Sequence, residues 1–424
     1  MAMTRKRAVI VGIGVVIFAA FLGWRLLRPM NIFVVSENFE RPIDTGKAPI
    51  PAEALRASTC GACHRENYEE WKTSIHSQAW TDPYFRVDWK FDGAQQICKN
   101  CHIPLDRQQE YKVLGFRDAE KWQPILADNP AFDAKLQHEG VTCAACHFKD
   151  GKILGTHGNL DAPHPVEKLA DPNEICLRCH IVQGARWDTF YRFPPCGTAA
   201  EIEAGTGRWQ GRSGELTVRN VSQLGCVQCH MPVVERALVE GGQVREARRH
   251  LWRGGHDPAM VKQGLDIRFA EIGADAADRR AFALTLTNVG AAHFLPTGTP
   301  DRHLTVRLRV LDRDGQTLEE ENHSLKRTTM WRPFIVDLWD TRLPRGQARS
   351  YRIEFPSAGK PAPDAVEAVV RYHLLDEARR ARIGYENTEP IAYEVFRSRI
   401  ALRPAQSGAL RRARHIAASR QNLD

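Results

Sequence analysis

Cys60-Gly61-Ala62-Cys63-His64 decides the reading of this chain, because its pattern recurs four more times. The copies are Cys98-Lys99-Asn100-Cys101-His102, Cys143-Ala144-Ala145-Cys146-His147, Cys176-Leu177-Arg178-Cys179-His180 and Cys226-Val227-Gln228-Cys229-His230. They use ten of the eleven cysteines, all between residues 60 and 230. Cys-x-x-Cys-His is the attachment signature of c-type haem: two thiols join the haem edge and the adjacent His ligates the iron. Zinc ribbons pair two Cys-x-x-Cys units and need no His after each. A redox Cys-x-x-Cys occurs once, and a disulfide framework gives no reason for the His. The expectation is five covalently attached haems c.

The spacing sets the architecture. Successive first cysteines lie 38, 45, 33 and 50 residues apart, too few for an ordinary apolar core around each motif. The cofactors are expected to fill much of the interior of residues 53–262, wrapped by short helices and long loops. Each iron takes a fifth ligand from its motif (His64, His102, His147, His180 or His230) and has room for a sixth. Of the sixteen His, eleven lie outside the motifs. His76, His157, His164, His250, His256 and His293 are the candidates for sixth ligands, and His138 is a weaker one. His76, after Trp71, and His256, in Arg253-Gly254-Gly255-His256-Asp257, rank first. His303, His323, His373 and His415 read as surface or structural. Iron closed by two His suits electron transfer, whereas an open face suits chemistry. Cys196 is the odd cysteine, either a buried thiol or one available for ligation or pairing. The aromatic run Arg186–Phe193 is expected to pack on porphyrin.

Outward from this region the composition changes twice. Thr4-Arg5-Lys6-Arg7 precedes an uncharged apolar run from Ala8 to Trp24, just long enough to cross a bilayer. Basic residues on its N-terminal side favour a cytoplasmic start. Residues 1–28 therefore read as an uncleaved transmembrane anchor in preference to a signal peptide, with the bulk of the chain in the periplasm. Residues 29–52, with four prolines, read as a linker. After Gly264 cysteine disappears and period-two alternation begins, as in Phe282-Leu284-Leu286 and Leu304-Val306-Leu308-Val310. Asp312-Arg313-Asp314-Gly315 is a turn signal before a returning strand. Residues 263–400 are expected to form an immunoglobulin-like β-sandwich, and 401–424 a basic tail. The fold class is thus α+β and multidomain: an N-terminal transmembrane helix, a loop-rich, mainly helical multihaem domain and a β-sandwich. The formal charge of +8 is too mild to argue for nucleic acid, and haem propionates would offset it.

Trp71 to His76, Arg253 to Asp257, Cys229-His230-Met231-Pro232, and His293 with Pro296-Thr297-Gly298 resemble the multihaem cytochromes of the cytochrome c-554 and hydroxylamine-oxidoreductase-like superfamily. The resemblance covers the haem region. It implies bis-His haems packed in pairs and electron relay outside the cytoplasmic membrane. The fifth motif, the anchor and the β-region depart from its tetrahaem members. The function expected is a membrane-anchored electron carrier, not an enzyme, exchanging electrons with a quinol-oxidising membrane complex or other cytochromes. The alternatives are a reductase or oxidase of a small nitrogen or sulfur compound with one open haem, and a wiring subunit of a larger redox complex.

Overall fold

The computed structural model describes residues 5–27, 41–118, 121–158, 162–180, 189–190, 196–206, 225–331 and 333–402. Half of the expected linker (29–40), most of Arg186–Phe193 and the tail beyond 402 lie outside the described residues. The chain is of mixed α and β composition. Helix Arg5–Leu27 comes first, with mean hydropathy 2.2, long and apolar enough to cross a membrane or to serve as a signal sequence. Its last turn touches the distant segment 333–334: Arg25 Nε donates to the Pro333 carbonyl at 3.0 Å, and Phe21 lies 6.2 Å from Phe334.

Residues 41–50 fold onto the body. Ile43 donates its N–H to the Pro104 carbonyl, and Ile43, Ala48 and Ile50 pack on a small core of Leu55, Leu105, Leu136 and Phe148. Short helices follow, as the motif spacing predicts. Three small sheets were not foreseen: Tyr111–Phe116 with Pro124–Asp128, Phe148–Lys149 with Lys152–Gly155 and Val166–Lys168, and Val233–Ala237 with Val244–Arg248. They lack the run of alternating apolar residues that would have announced them. The hairpin Val233–Ala237/Val244–Arg248, for instance, leaves Val233 and Val244 exposed.

The region after Gly264 is built on alternation. One antiparallel sheet runs Ala348–Pro356, Arg279–Asn288, Leu265–Ile272. Another runs Thr317–Leu325, His303–Leu311, Ala365–His373, Ala392–Ala401. Phe282, Leu284 and Leu286 from the first sheet and Leu304, Val306 and Leu308 from the second enter one shared core, each fully buried. Period-two spacing puts every second side chain on one face, so both strands deliver an unbroken apolar stripe. Asp312 closes the turn between two strands: its side chain accepts from the N–H groups of Asp314 and Gln316, and Gly315 takes φ +78°. The left-handed conformation suits glycine there.

The loop between strands Arg279–Asn288 and His303–Leu311 leaves this core and reaches the motif region. Asn288 Nδ2 donates to the His293 carbonyl at 2.9 Å and to that of Leu343 at 3.0 Å. Arg342, 3% exposed at its side chain, bonds Glu201 at 2.5 Å and the Pro296 carbonyl at 3.2 Å, with Asp340 completing the pairing. Arg379 joins Asp88 at 2.5 Å and Asp92 at 2.8 Å. The two regions are thus tied by buried charge as well as packing.

A buried guanidinium left without its carboxylate costs far more than an exposed pair. Glu201→Ala, which takes one of the two carboxylates from Arg342 and leaves Asp340, should therefore destabilise the protein by about 2–3 kcal/mol in denaturant unfolding. The exposed Arg268→Ala should stay within about 0.5 kcal/mol.

Candidate functional site

Each motif folds into or beside a single helical turn. Helices Gln96–His102, Cys143–His147, Glu174–His180 and Cys226–His230 carry four of them. The first begins in helix Ala57–Gly61 and ends at His64, the N-cap residue of helix Arg65–Lys72. Residues three apart share a helix face, so both thiols of a motif present to one side. The His, one residue on, is turned about 100° away.

The motif turns lie close together. Cys60 lies beside Cys143, Cys101 beside Cys179, and Cys176 beside Cys226. The first motif thus abuts the third, and the fourth abuts both the second and the fifth. Cys146 of the third motif also feels the charge of Cys179. The fourth motif is the junction of the set.

Four ring pairs bring a motif His opposite a His from elsewhere in the chain. His64 faces His164 with centroids 6.4 Å apart, and His180 faces His76 at 6.5 Å. His147 faces His250 at 6.1 Å, and His230 faces His293 at 6.4 Å. A metal bonded to both Nε2 atoms at about 2.0 Å would separate ring centroids by roughly 6.3 Å. The residues present therefore fit a haem iron between each pair.

The tautomers fit as well. Nδ1 of His64 donates to the Leu238 carbonyl at 2.9 Å, His147 to Leu154 at 2.7 Å and His230 to Arg253 at 2.7 Å. Across from them, His250 donates to Arg248 at 2.9 Å and His293 to Phe294 at 2.8 Å. A ring that spends its proton at Nδ1 keeps a lone pair at Nε2 for a metal. Burial, reinforced by His180, His230 and His102, holds His76 down at about 3. Burial likewise holds His250 and His293 near 4. These rings stay neutral, as a ligand must.

Neighbouring groups fix the rings. Trp252 stands edge-on to both His76, at 5.0 Å, and His250, at 5.1 Å. Gly140, at φ +60°, lies so near the His76 carbonyl that a Cβ would approach it to 2.7 Å. Glu70 accepts from Arg236, from Arg249 at 2.8 Å and from the His250 N–H at 2.7 Å. Burial opposes its ionisation, yet these hydrogen bonds pull its carboxyl down to about 2.

Other expected site residues are placed differently. His157 Nε2 lies 3.3 Å from the Glu246 carbonyl, and no motif ring faces it. His256 Nε2 lies 3.4 Å from Arg302, and likewise faces no motif ring. His138 is exposed at the end of helix Ala134–His138. His303 and His373 stack on each other at 4.2 Å, and His323 stacks on Tyr351 at 4.6 Å. His102 donates to the Ala79 carbonyl at 2.6 Å and lies flat against Phe85 at 3.6 Å. Among the described residues no second His faces it. Cys196 packs with Ile97, Cys101 and Trp122, and burial pushes its thiol up against the opposing charges of Arg302 and Arg327. The carbonyl acceptors, Phe85, Trp252 and Glu70 carry no signal in the sequence, since any residue supplies a carbonyl.

The fold is similar to that of a penta-heme cytochrome c552 from Thermochromatium tepidum. The TM-score is 0.58 at 20% identity, over 83% of this chain and 100% of that one. At that identity the likeness establishes a shared fold. The X-ray structure of structural-genomics target SoR45 has 11% identity over 34% of this chain and 88% of that one, at TM-score 0.16. AvmM, which catalyzes macrocyclization in alchivemycin A biosynthesis, has 12% identity over 35% of this chain and 93% of that one, at 0.19. Neither carries an argument. No family model and no curated protein matches the chain.

Glu70→Ala should leave Arg236 and the His250 N–H short of an acceptor and cost about 2–3 kcal/mol in thermal unfolding. The amide of His250 should lose protection in hydrogen exchange. Glu69→Ala, which removes only an exposed pair with Lys72, should stay within about 0.5 kcal/mol.

Proposed function

We propose that the chain is a pentahaem cytochrome c that relays electrons between redox partner proteins, four of its irons each closed by two His. The observation that carries this reading is the set of four ring pairs at 6.1–6.5 Å, each joining a motif His to a His outside the motifs. Haem c, when bound, supplies an iron that cycles between ferric and ferrous states.

The chain's own residues do the rest. The ten motif cysteines hold the groups covalently, so none is lost on partner exchange. His64 with His164, His180 with His76, His147 with His250 and His230 with His293 would each hold one iron between them. That keeps water and small ligands away from the metal and limits rearrangement on changing charge. The contacts among motif turns set the order of neighbours. The first adjoins the third, the fourth joins the second and the fifth, and the third and fourth lie close. Cys63 and Cys229 are exposed, which makes the first and fifth motifs the natural points of exchange with partners. The strand orders of the two sheets after Gly264 support an immunoglobulin-like sandwich, which contributes His293.

Helix Arg5–Leu27 supports a single-pass anchor in the bacterial cytoplasmic membrane, with its basic start in the cytoplasm and the cytochrome in the periplasm. Covalent haem attachment and cysteine usage suit that compartment. The partners on this reading are a quinol-oxidising membrane complex or other cytochromes.

Intact-mass measurement of the holoprotein should show five haem additions. His164→Ala, His250→Ala and His293→Ala should each retain all five, while each converts one low-spin iron to a carbon-monoxide-binding one. A variant that keeps every low-spin signal would remove that His from the ligand set.

A further inference from the structure

We propose that the hairpin Arg327–Met330/Ile335–Asp340 is a second membrane contact, which lays Phe334, Leu338 and Trp339 on the lipid interface beside the end of helix Arg5–Leu27. This rests on the anchor reading above and adds to it the surface of the body that meets the bilayer.

The first observation is where the helix ends. Its residues from Arg5 to Ala20 are exposed, whereas Phe21, Leu22 and Gly23 are half-buried and Arg25 is buried. Arg25 does not turn out into water. Its Nε donates to the Pro333 carbonyl at 3.0 Å, and its guanidinium lies 5.3 Å from the centre of the Phe334 ring. That ring stands 6.2 Å from Phe21. Trp24 closes the apolar run, and a tryptophan in that position sits at the headgroup level of a bilayer. Phe21 is three residues further into the run, about 4.5 Å along the helix axis. A segment that touches both Phe21 and Arg25 is therefore held at the depth of the interface.

The second observation is the strand that follows. Ile335 is buried and Asp337 pairs with the buried Arg327 at 2.9 Å, so the strand is fixed to the body. Leu338 and Trp339, in contrast, are 47% and 57% exposed. Regular pleating would put consecutive residues on opposite faces. Here the register slips: Thr328 pairs with Trp339 and Thr329 with Asp337, so Leu338 is an extra residue with none opposite it. Such a bulge re-aims side chains, and this one leaves two adjacent large apolar groups in solvent. Their exposure to water costs free energy that contact with lipid removes. Tryptophan, with an apolar body and a polar N–H, suits the headgroup boundary.

The charges of the strand agree with this placement. Its two carboxylates are turned inward, Asp337 to Arg327 and Asp340 to Arg342, with side chains 10% and 8% exposed. Neither is presented to an anionic headgroup. From Phe334 to Trp339 the strand covers about 16 Å, so it meets lipid along its length only by lying flat on the surface. One helix alone is a tether about which the body can turn. A second contact fixes which side of the body faces the membrane, and with it how a membrane partner approaches the motif turns.

The test uses the full-length holoprotein in vesicles of phosphatidylethanolamine and phosphatidylglycerol, doped with a phospholipid that carries a diazirine high on one acyl chain. Lipid adducts formed on photolysis are mapped by peptide mass spectrometry. The helix and residues 333–340 should both be labelled, the latter about fivefold above the peptide holding Leu114, an exposed leucine of the motif region. Leu338→Ser combined with Trp339→Ser should lower the labelling of 333–340 several-fold, with helix labelling, haem content and thermal unfolding unchanged. Label on the helix with none on 333–340 above the Leu114 level would overturn the surface, leave the anchor standing and assign the patch to a second protein. A protein isolated from the cell without residues 1–28 would instead overturn the anchor, and this surface with it.

Discussion

Four pairs of His rings, each set 6.1–6.5 Å apart, are the constraint around which the motif region is built. The two partners of a pair are 63 to 104 residues apart in sequence, so each pair closes a long loop. On the proposed haem-binding reading, closing such loops on a haem would replace the apolar core that segments of 33 to 50 residues could not build alone. The apolar clusters of the motif region are accordingly small, while the β-region has a continuous core of its own. Rigidity around the rings comes from carbonyl hydrogen bonds, from Trp252 wedged between His76 and His250, and from Glu70 clamped by Arg236 and Arg249.

The pair His230–His293 changes how the β-region is understood. It sets a ring from the loop after Asn288 opposite a motif ring across the boundary between the two regions, and that loop is anchored by Asn288, Arg342 and Glu201. A region that looks appended in sequence thus contributes one ring to the four pairs.

What the sequence disclosed follows from how local each signal is. The motifs are contiguous, so the cysteines and proximal His are legible at once. The strands after Gly264 are legible because alternation is local, and Phe282 to Leu286 and Leu304 to Val310 are buried as their period demands. The pairing of distal rings depends on contacts a hundred residues away and is not legible. His76, His164, His250 and His293 stand opposite motif rings, whereas His157 faces a carbonyl and His256 faces Arg302. Nothing in the residues flanking His256 distinguishes it from His250, six positions earlier. The difference lies in Arg302, 46 residues further on. The small sheets are not legible for a related reason: their strands are short and carry too few buried side chains to show a period.

The measurement that bears most directly on the central claim is quantitative electron paramagnetic resonance of the oxidised full-length protein, with signals integrated against the haem content. Four low-spin ferric centres per chain with paired imidazoles, and a fifth centre distinct from them, is the result that the ring geometry predicts. Fewer than four such centres would contradict it, because at least one of the pairs at 6.1–6.5 Å would then not enclose an iron.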